Sequence, residues 1–174
     1  MRKIIIDHKT LERTIRRLAY EIIEKTTNLE NVILLGIKHK GVRIAEILQE
    51  NIYQIEGIHV SQYELDITPF RDDIKTTVLP TINETYVKAD LTNKIVILVD
   101  DVLYTGRTIR AAMDAVMKLS RPEEIKLAIL IDRGHRQLPI RADYVGKNIP
   151  TSKEETIKVT ITDFSQQDKV EIIQ

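Results

Sequence analysis

The chain has no cysteine, which excludes disulfides, thiolate catalysis and cysteine-ligated zinc. It has no surplus of either charge: 26 basic side chains stand against 26 acidic ones, and the formal net charge is zero. A protein that coats nucleic acid indiscriminately needs excess Lys and Arg to neutralise phosphates, so that class is excluded, whereas a local basic patch is not. No apolar run approaches the roughly 20 residues that span a bilayer. The opening Met1-Arg-Lys-Ile-Ile-Ile-Asp7 is too short in its apolar part and too soon acidic for a signal peptide. The expectation is a cytoplasmic protein with no membrane partner. GxxxxGK and GxGxxG are both missing, which removes the Walker and Rossmann routes to a phosphate site. There is no internal repeat.

What is present is an ordinary globular composition, 43% apolar and 30% charged over 174 residues, enough for a single domain with a sizeable core. Leu11, Ile15, Leu18, Ala19, Ile22 and Ile23 recur at helical spacing, which predicts a helix over 9–28 with Asp7 ahead of it and Asn28 as its stop. The pattern then predicts a buried strand over 32–36, a helix over 42–51 and a strand over 59–67. From 68 to 93 the periodicity dissolves into charges, threonines and Pro80, as expected of a lid or hairpin. A strand over 94–99, a helix over 108–119 and a strand over 125–131 follow, and a short β-like run at 157–161 lies near the tail. Alternating strands and helices predict an α/β fold with a mainly parallel sheet flanked by helices. Ligands of such a sheet lie beyond the carboxyl ends of its strands.

One segment stands out at such an end. Ile95-Val-Ile-Leu-Val99 runs into Asp100 and Asp101, then into Tyr104-Thr-Gly-Arg-Thr108 and a helix. Adjacent acids alone are more often solvated strand-end residues than a site. Here they precede a turn whose Thr105 and Thr108 hydroxyls, backbone N–H groups and helix dipole suit a phosphate, and whose Gly106 admits close backbone approach. Acids for sugar hydroxyls beside a loop for phosphate suggest a ribose phosphate.

The segment from Val96 to Thr108 closely resembles the signature of the type I phosphoribosyltransferases, which bind phosphoribosyl pyrophosphate (PRPP). The resemblance implies that family's fold, with a small hood built from the terminal segments and a mobile lid at about 68–93. It implies that Asp100 and Asp101 hold the ribose, that Leu103, Tyr104, Thr105, Gly106, Arg107 and Thr108 hold the 5′-phosphate, that Val102 also belongs to the PRPP/UMP-binding set, and that Lys38, His39 and Lys40 form the pyrophosphate turn. Mg2+ would arrive with PRPP rather than in a protein cage. Either acid could take a proton from the base, with Asp101 favoured. Arg71, at the start of the lid, joins the catalytic set; its other reading, shared with Asp72 and Asp73, is a charge on a solvated hairpin.

Within the family, Asp132-Arg-Gly-His-Arg136, the run from Arg141 to Lys153 and Asp66 to Asp73 are similar to the pyrimidine-operon regulators. That similarity spans essentially the whole chain. It implies transfer of uracil to PRPP giving UMP, and UMP- or UTP-dependent binding of pyrimidine-operon leader mRNA by a homo-oligomer, dimeric or larger. It places Tyr144 and Val145 against the base, with Arg133 as a further ligand, and assigns RNA contact to Arg17, Arg136, Arg141 and Lys147. Tyr144 reads equally as a half-buried strand aromatic. Two positions depart from the regulators' pattern: Arg16 and Tyr20 replace a common threonine and histidine, and the turn reads Lys-His-Lys rather than Lys-Thr-Arg. An enzyme-only protein would use the same pocket without RNA, and a regulator-only protein would keep it as a sensor.

Overall fold

A computed structural model describes residues 1–72, 89–162 and 165–174. The strongest apolar runs become its central strands. Val32–Ile37 (β2) is buried along its whole length, and Ile95–Leu103 (β4) and Glu124–Asp132 (β5) are buried through their middles. With Ser61–Leu65 (β3) and Tyr144–Asn148 (β6) they form a five-stranded sheet in the order β3-β2-β4-β5-β6, every adjacent pair parallel. The helices are His8–Glu24 (α1), Lys40–Glu56 (α2) and Arg107–Leu119 (α3). Buried residues divide into two clusters: α1 and α2 join Ile97 and Val99 on one face, and α3 joins Val96 and Leu98 on the other. This is the covered parallel sheet that the alternating pattern predicts.

The terminal segments meet in a second sheet. Arg2–Ile6 (β1), Thr156–Thr160 (β7) and Lys169–Ile173 (β8) pair antiparallel in the order β1-β8-β7. The expected lid falls largely on 73–88, outside the described residues. Among the described residues no helix is long and apolar enough to cross a membrane.

Boundaries differ from expectation for local reasons. Asp7 caps α1 by accepting from the Thr10 N–H at 2.9 Å, but the helix stops at Glu24 because the apolar spacing ends there and β-branched Thr26 and Thr27 follow. Helix α2 runs five residues past the expected 51, to Glu56, carried by Ile52 and Ile55 at continuing spacing. Gly57 ends it in the left-handed conformation at φ 71°, its N–H on the Tyr53 carbonyl.

Candidate active site

Strand β4 does not stop at the acid pair as expected. Its pairing with β5 continues past it, Asp100 opposite Ile129 and Val102 opposite Ile131. The facing of its side chains changes across the pair, since Val102 packs with the α1/α2 cluster and Leu103 with the α3 cluster. The acids therefore sit on a backbone held from both sides. Each carboxylate accepts the next residue's N–H, Asp101 N–H to Asp100 and Val102 N–H to Asp101, both at 2.9 Å.

The two acids differ. Asp100 is 8% exposed and lines the cleft, and burial, then the neighbouring Asp101 charge, push its pKa well above the usual aspartate range. Asp101 is partly exposed and lies 3.4 Å from the Lys40 ammonium. The expectation favoured Asp101 as proton acceptor; the structure gives the cleft-facing position and the raised pKa to Asp100.

Two glycines bring the basic turn to this point. A Cβ on Gly36 would be driven into the backbone of Val42, and one on Gly41 into the Val99 carbonyl oxygen, 3.2 Å from the Asp100 Cα. Without side chains, the start of α2 lies directly on the end of β4. Lys38 reaches Glu64 at 3.2 Å, and the Lys38–His39 peptide is cis. After the acids, Gly106 adopts φ 93° and leads into α3, and the Thr105 hydroxyl accepts the Arg107 N–H at 3.3 Å.

The cleft, about 380 Å³, is lined by Ile37, Lys38, His39, Asp66, Ile67, Thr68, Arg71, Asp100 and Thr108. A second hollow of about 210 Å³, lined by Arg71, Asp72, Thr105, Arg107 and Thr108, shares two of those residues. The 38–39 turn, Asp100, the 66–71 segment and the start of α3 thus converge beyond the strand ends. A wider groove of about 710 Å³ between α1 and α2 contains none of the candidate residues, and its Arg13, Arg16 and Arg43 alternate with Glu12, Glu46 and Glu50. Its mixed charge favours neither sign of ligand. Among the described residues no group of three or more His, Asp or Glu side chains could hold a metal ion.

Other residues depart from expectation. Tyr144 is 1% exposed and packs in the α1/α2 cluster, with the Lys25 ammonium over its ring, so it has no face free for a base. Val145 lies on the edge strand, its carbonyl accepting from Arg17 at 3.3 Å. Leu103 is a core side chain that offers only backbone. Arg133 is buried, donating to the Thr151 hydroxyl at 2.9 Å and to the Ser152 and Glu155 carbonyls at 3.0 and 2.7 Å, and its guanidinium stacks 4.1 Å from the Tyr104 ring centroid. It fastens 151–155 rather than a ligand. Replacing it by Lys removes the fork and is expected to cost about 1.5–3 kcal/mol and to speed amide exchange across 151–155. Unchanged exchange there contradicts the fastening role.

Of the four RNA candidates, Arg17 on α1 reaches the backbone of β6, the strand that carries Lys147. Arg17 bonds the Gly146 carbonyl and Glu21, which seats it beside β6. Lys147 and Arg141 are exposed. Arg136 is turned inward, donating to the Ile140 carbonyl at 2.8 Å, the Tyr104 carbonyl at 3.1 Å and the Asp132 carboxylate. Burial alone would raise Asp132, but Arg136, the Gly134 N–H and the charge of Arg141 bring it below the usual range. Arg136 therefore departs from the expected outward-facing cation. Sequence reasoning missed Glu64 and Gln137, lone polar residues whose partners, Lys38 and Arg107, lie far along the chain, and it gave no site role to Asp66, which lines the cleft and accepts from Thr68.

A phosphoribosyl transferase domain matches residues 1–168. The bifunctional protein PyrR of Streptococcus mutans serotype c is 55% identical over 168 residues, covering 97% of this chain and 93% of that protein. That of Bacillus cereus strain AH820 is 52% identical over 172 residues, covering 97% and 96%. A crystal structure of a hypoxanthine phosphoribosyltransferase from Staphylococcus aureus superposes with a TM-score of 0.69 at 19% identity, over 86% of this chain and 79% of that one, a likeness of fold. With the acid pair, the basic turn and the phosphate loop arranged on that fold, the chain belongs to the phosphoribosyl transferase family and, within it, to the bifunctional PyrR proteins.

Proposed function

We propose that the chain is a uridine-nucleotide-dependent RNA-binding attenuator of pyrimidine-biosynthesis genes that also converts uracil and PRPP to UMP and pyrophosphate. The convergence of Lys38, His39, Asp100, Arg71 and Thr108 on one cleft carries this reading. In the transfer, the bond from the ribose anomeric carbon to pyrophosphate breaks, a bond to uracil N1 forms, and the N1 proton leaves. Lys38, His39 and Lys40 oppose the charge that grows on the leaving pyrophosphate. Asp101, steadied by Lys40, holds ribose hydroxyls. Asp100, with its raised pKa and place in the cleft, suits the N1 proton. The turn from Leu103 to Thr108 and the first turn of α3 hold the 5′-phosphate.

The two carboxylates at the strand end fit magnesium that travels with PRPP. Asp100 and Asp101 would take its waters, and it would supply charge neutralisation to the pyrophosphate. In this reading 1–174 work as one phosphoribosyltransferase-like domain in the cytoplasm, with the terminal sheet as hood. Arg17, Lys147 and Arg141 face RNA, and Arg136 holds the loop they border. Assembly as a homo-oligomer, dimeric or larger, would repeat that surface.

Radiolabelled uracil conversion with PRPP and magnesium tests the enzyme, and gel shift of a pyrimidine-operon leader transcript with and without UMP tests the regulator. Turnover and a UMP-strengthened shift are expected. Turnover without any shift selects an enzyme-only protein, and a shift without turnover selects a sensor. The Arg141→Gln, Lys147→Gln double variant is expected to weaken RNA binding about tenfold or more; wild-type affinity in it overturns the RNA face.

A further inference from the structure

The phosphate loop is stitched to the 133–140 segment. The Thr105 carbonyl accepts the N–H groups of Gln137 and Leu138 at 2.9 and 3.1 Å, and the Leu103 carbonyl accepts that of Arg133 at 3.1 Å. Arg136 donates to the Tyr104 carbonyl. Side chains join the two segments as well: the Tyr104 ring meets Arg133 and His135, and Arg107 Nε donates to Gln137 Oε1 at 2.9 Å. The other end of the same guanidinium pairs with Asp72 at 2.7 Å, at the lid base. Arg110 stands 3.9 Å from that same carboxylate.

Asp72 thus supplies the negative charge at the mouth of the 105–108 turn, in the hollow that it lines with Thr105, Arg107 and Thr108. A phosphate entering that hollow competes with Asp72 for the Nη groups of Arg107. The backbone stitches involve peptide groups whose charge is the same with or without ligand. The Arg107 guanidinium is the part that must exchange one anion for another, and coupling requires a contact that differs between the two states.

We propose that Gln137 is a positioning residue that carries nucleotide occupancy from Arg107 into the 133–140 segment bordering the RNA face. With Asp72 displaced by the 5′-phosphate, Arg107 is held between phosphate and Gln137, and the segment from Arg133 to Ile140 is ordered with it. Without ligand the guanidinium is shared with the lid base and the segment is held less firmly. This rests on the nucleotide-dependent RNA binding proposed above, and it names the route by which that dependence reaches the RNA surface.

The test is hydrogen exchange on the full chain with and without saturating UMP, in wild type, Gln137→Met, which removes the acceptor, and Gln137→Glu, which keeps one. UMP is expected to slow exchange over both 103–108 and 133–140 in wild type and in Gln137→Glu. In Gln137→Met it slows 103–108 alone. The UMP-dependent gain in leader-transcript affinity, of the order of tenfold for coupled sites, falls to near none in Gln137→Met and survives in Gln137→Glu. Full UMP protection of 133–140 in Gln137→Met overturns the coupling, and so does failure of UMP to protect 103–108 in wild type. Coupled protection in wild type that disappears in Gln137→Met, with no transcript shift in either, supports the coupling and contradicts the RNA reading.

Discussion

Asp100→Asn is expected to melt at a higher temperature than wild type at neutral pH while losing about 10²-fold in uracil turnover. The stability gain follows from the sign of the pKa shift. Burial, then the Asp101 charge, raise the folded-state pKa above the ordinary value of about 3.8. Below that value the carboxyl is neutral in folded and unfolded chain alike, and its favourable contribution to folding is complete. As pH rises the unfolded chain sheds the proton first, so this contribution declines through the interval up to the raised folded-state pKa and is gone above it. An amide carries no such charge, yet its oxygen still accepts the Asp101 N–H. A gain of about 0.5–2 kcal/mol is typical of relieving such a site. The two melting temperatures should approach each other toward pH 4, which a pH series of thermal unfolding would reveal. A variant with wild-type turnover would remove Asp100 from the transfer step, and one that melts lower at neutral pH would contradict the charge penalty.

Gly41→Ala is expected to destabilise the protein by about 1–3 kcal/mol and to raise KM for PRPP more than it lowers kcat. The new methyl group would collide with the Val99 carbonyl, and a β4 carbonyl has no flexible tail that can swing aside. Either the start of α2 lifts or the end of β4 bends. Lifting α2 carries Lys38, His39 and Lys40 away from the acids and breaks the Lys40–Asp101 pair. At two to four degrees per kcal/mol, the melting temperature would fall by roughly 2–12 °C. The KM effect separates displacement of the 38–40 turn, proposed to hold pyrophosphate, from loss of folded protein, which lowers only the amount of active enzyme. An unaltered KM for PRPP with a lowered melting temperature would leave Gly41 as packing alone.

The sequence made the core of the fold and the strand–turn–helix of the central motif legible because both are written in contiguous residues. Ile95 to Val99 reads as a buried strand, and Asp100 to Thr108 as acids and a phosphate turn, with no partner needed. Strand β4 was underestimated because aspartate is poor in strands, whereas pairing with β5 carries the backbone through both acids. Residues whose meaning lies in a partner far along the chain were harder. Arg133 and Arg136 read as cations available to ligand or RNA, and only the folded loop reveals that their donors are taken by Thr151, Ser152, Glu155, Tyr104, Ile140 and Asp132. Tyr144 begins a short strand whose inner face is set by the packing of α1, so its burial was invisible in the linear run. The reach of Arg17 to the β6 carbonyls likewise depends on how α1 crosses that strand. A linear charge count gives the number of cations but not the direction in which each one points.

The claim that one pocket both makes UMP and senses it is tested most directly by a UMP titration read in two ways at matched salt and magnesium. One reading is inhibition of uracil transfer at subsaturating PRPP, and the other is strengthening of the leader-transcript gel shift. A single pocket predicts that both follow one binding constant, and that Thr105→Ala, which trims the phosphate turn, shifts both to higher UMP together. Constants that differ more than about tenfold (over 1.4 kcal/mol of binding free energy), or a Thr105→Ala change confined to one reading, would contradict it.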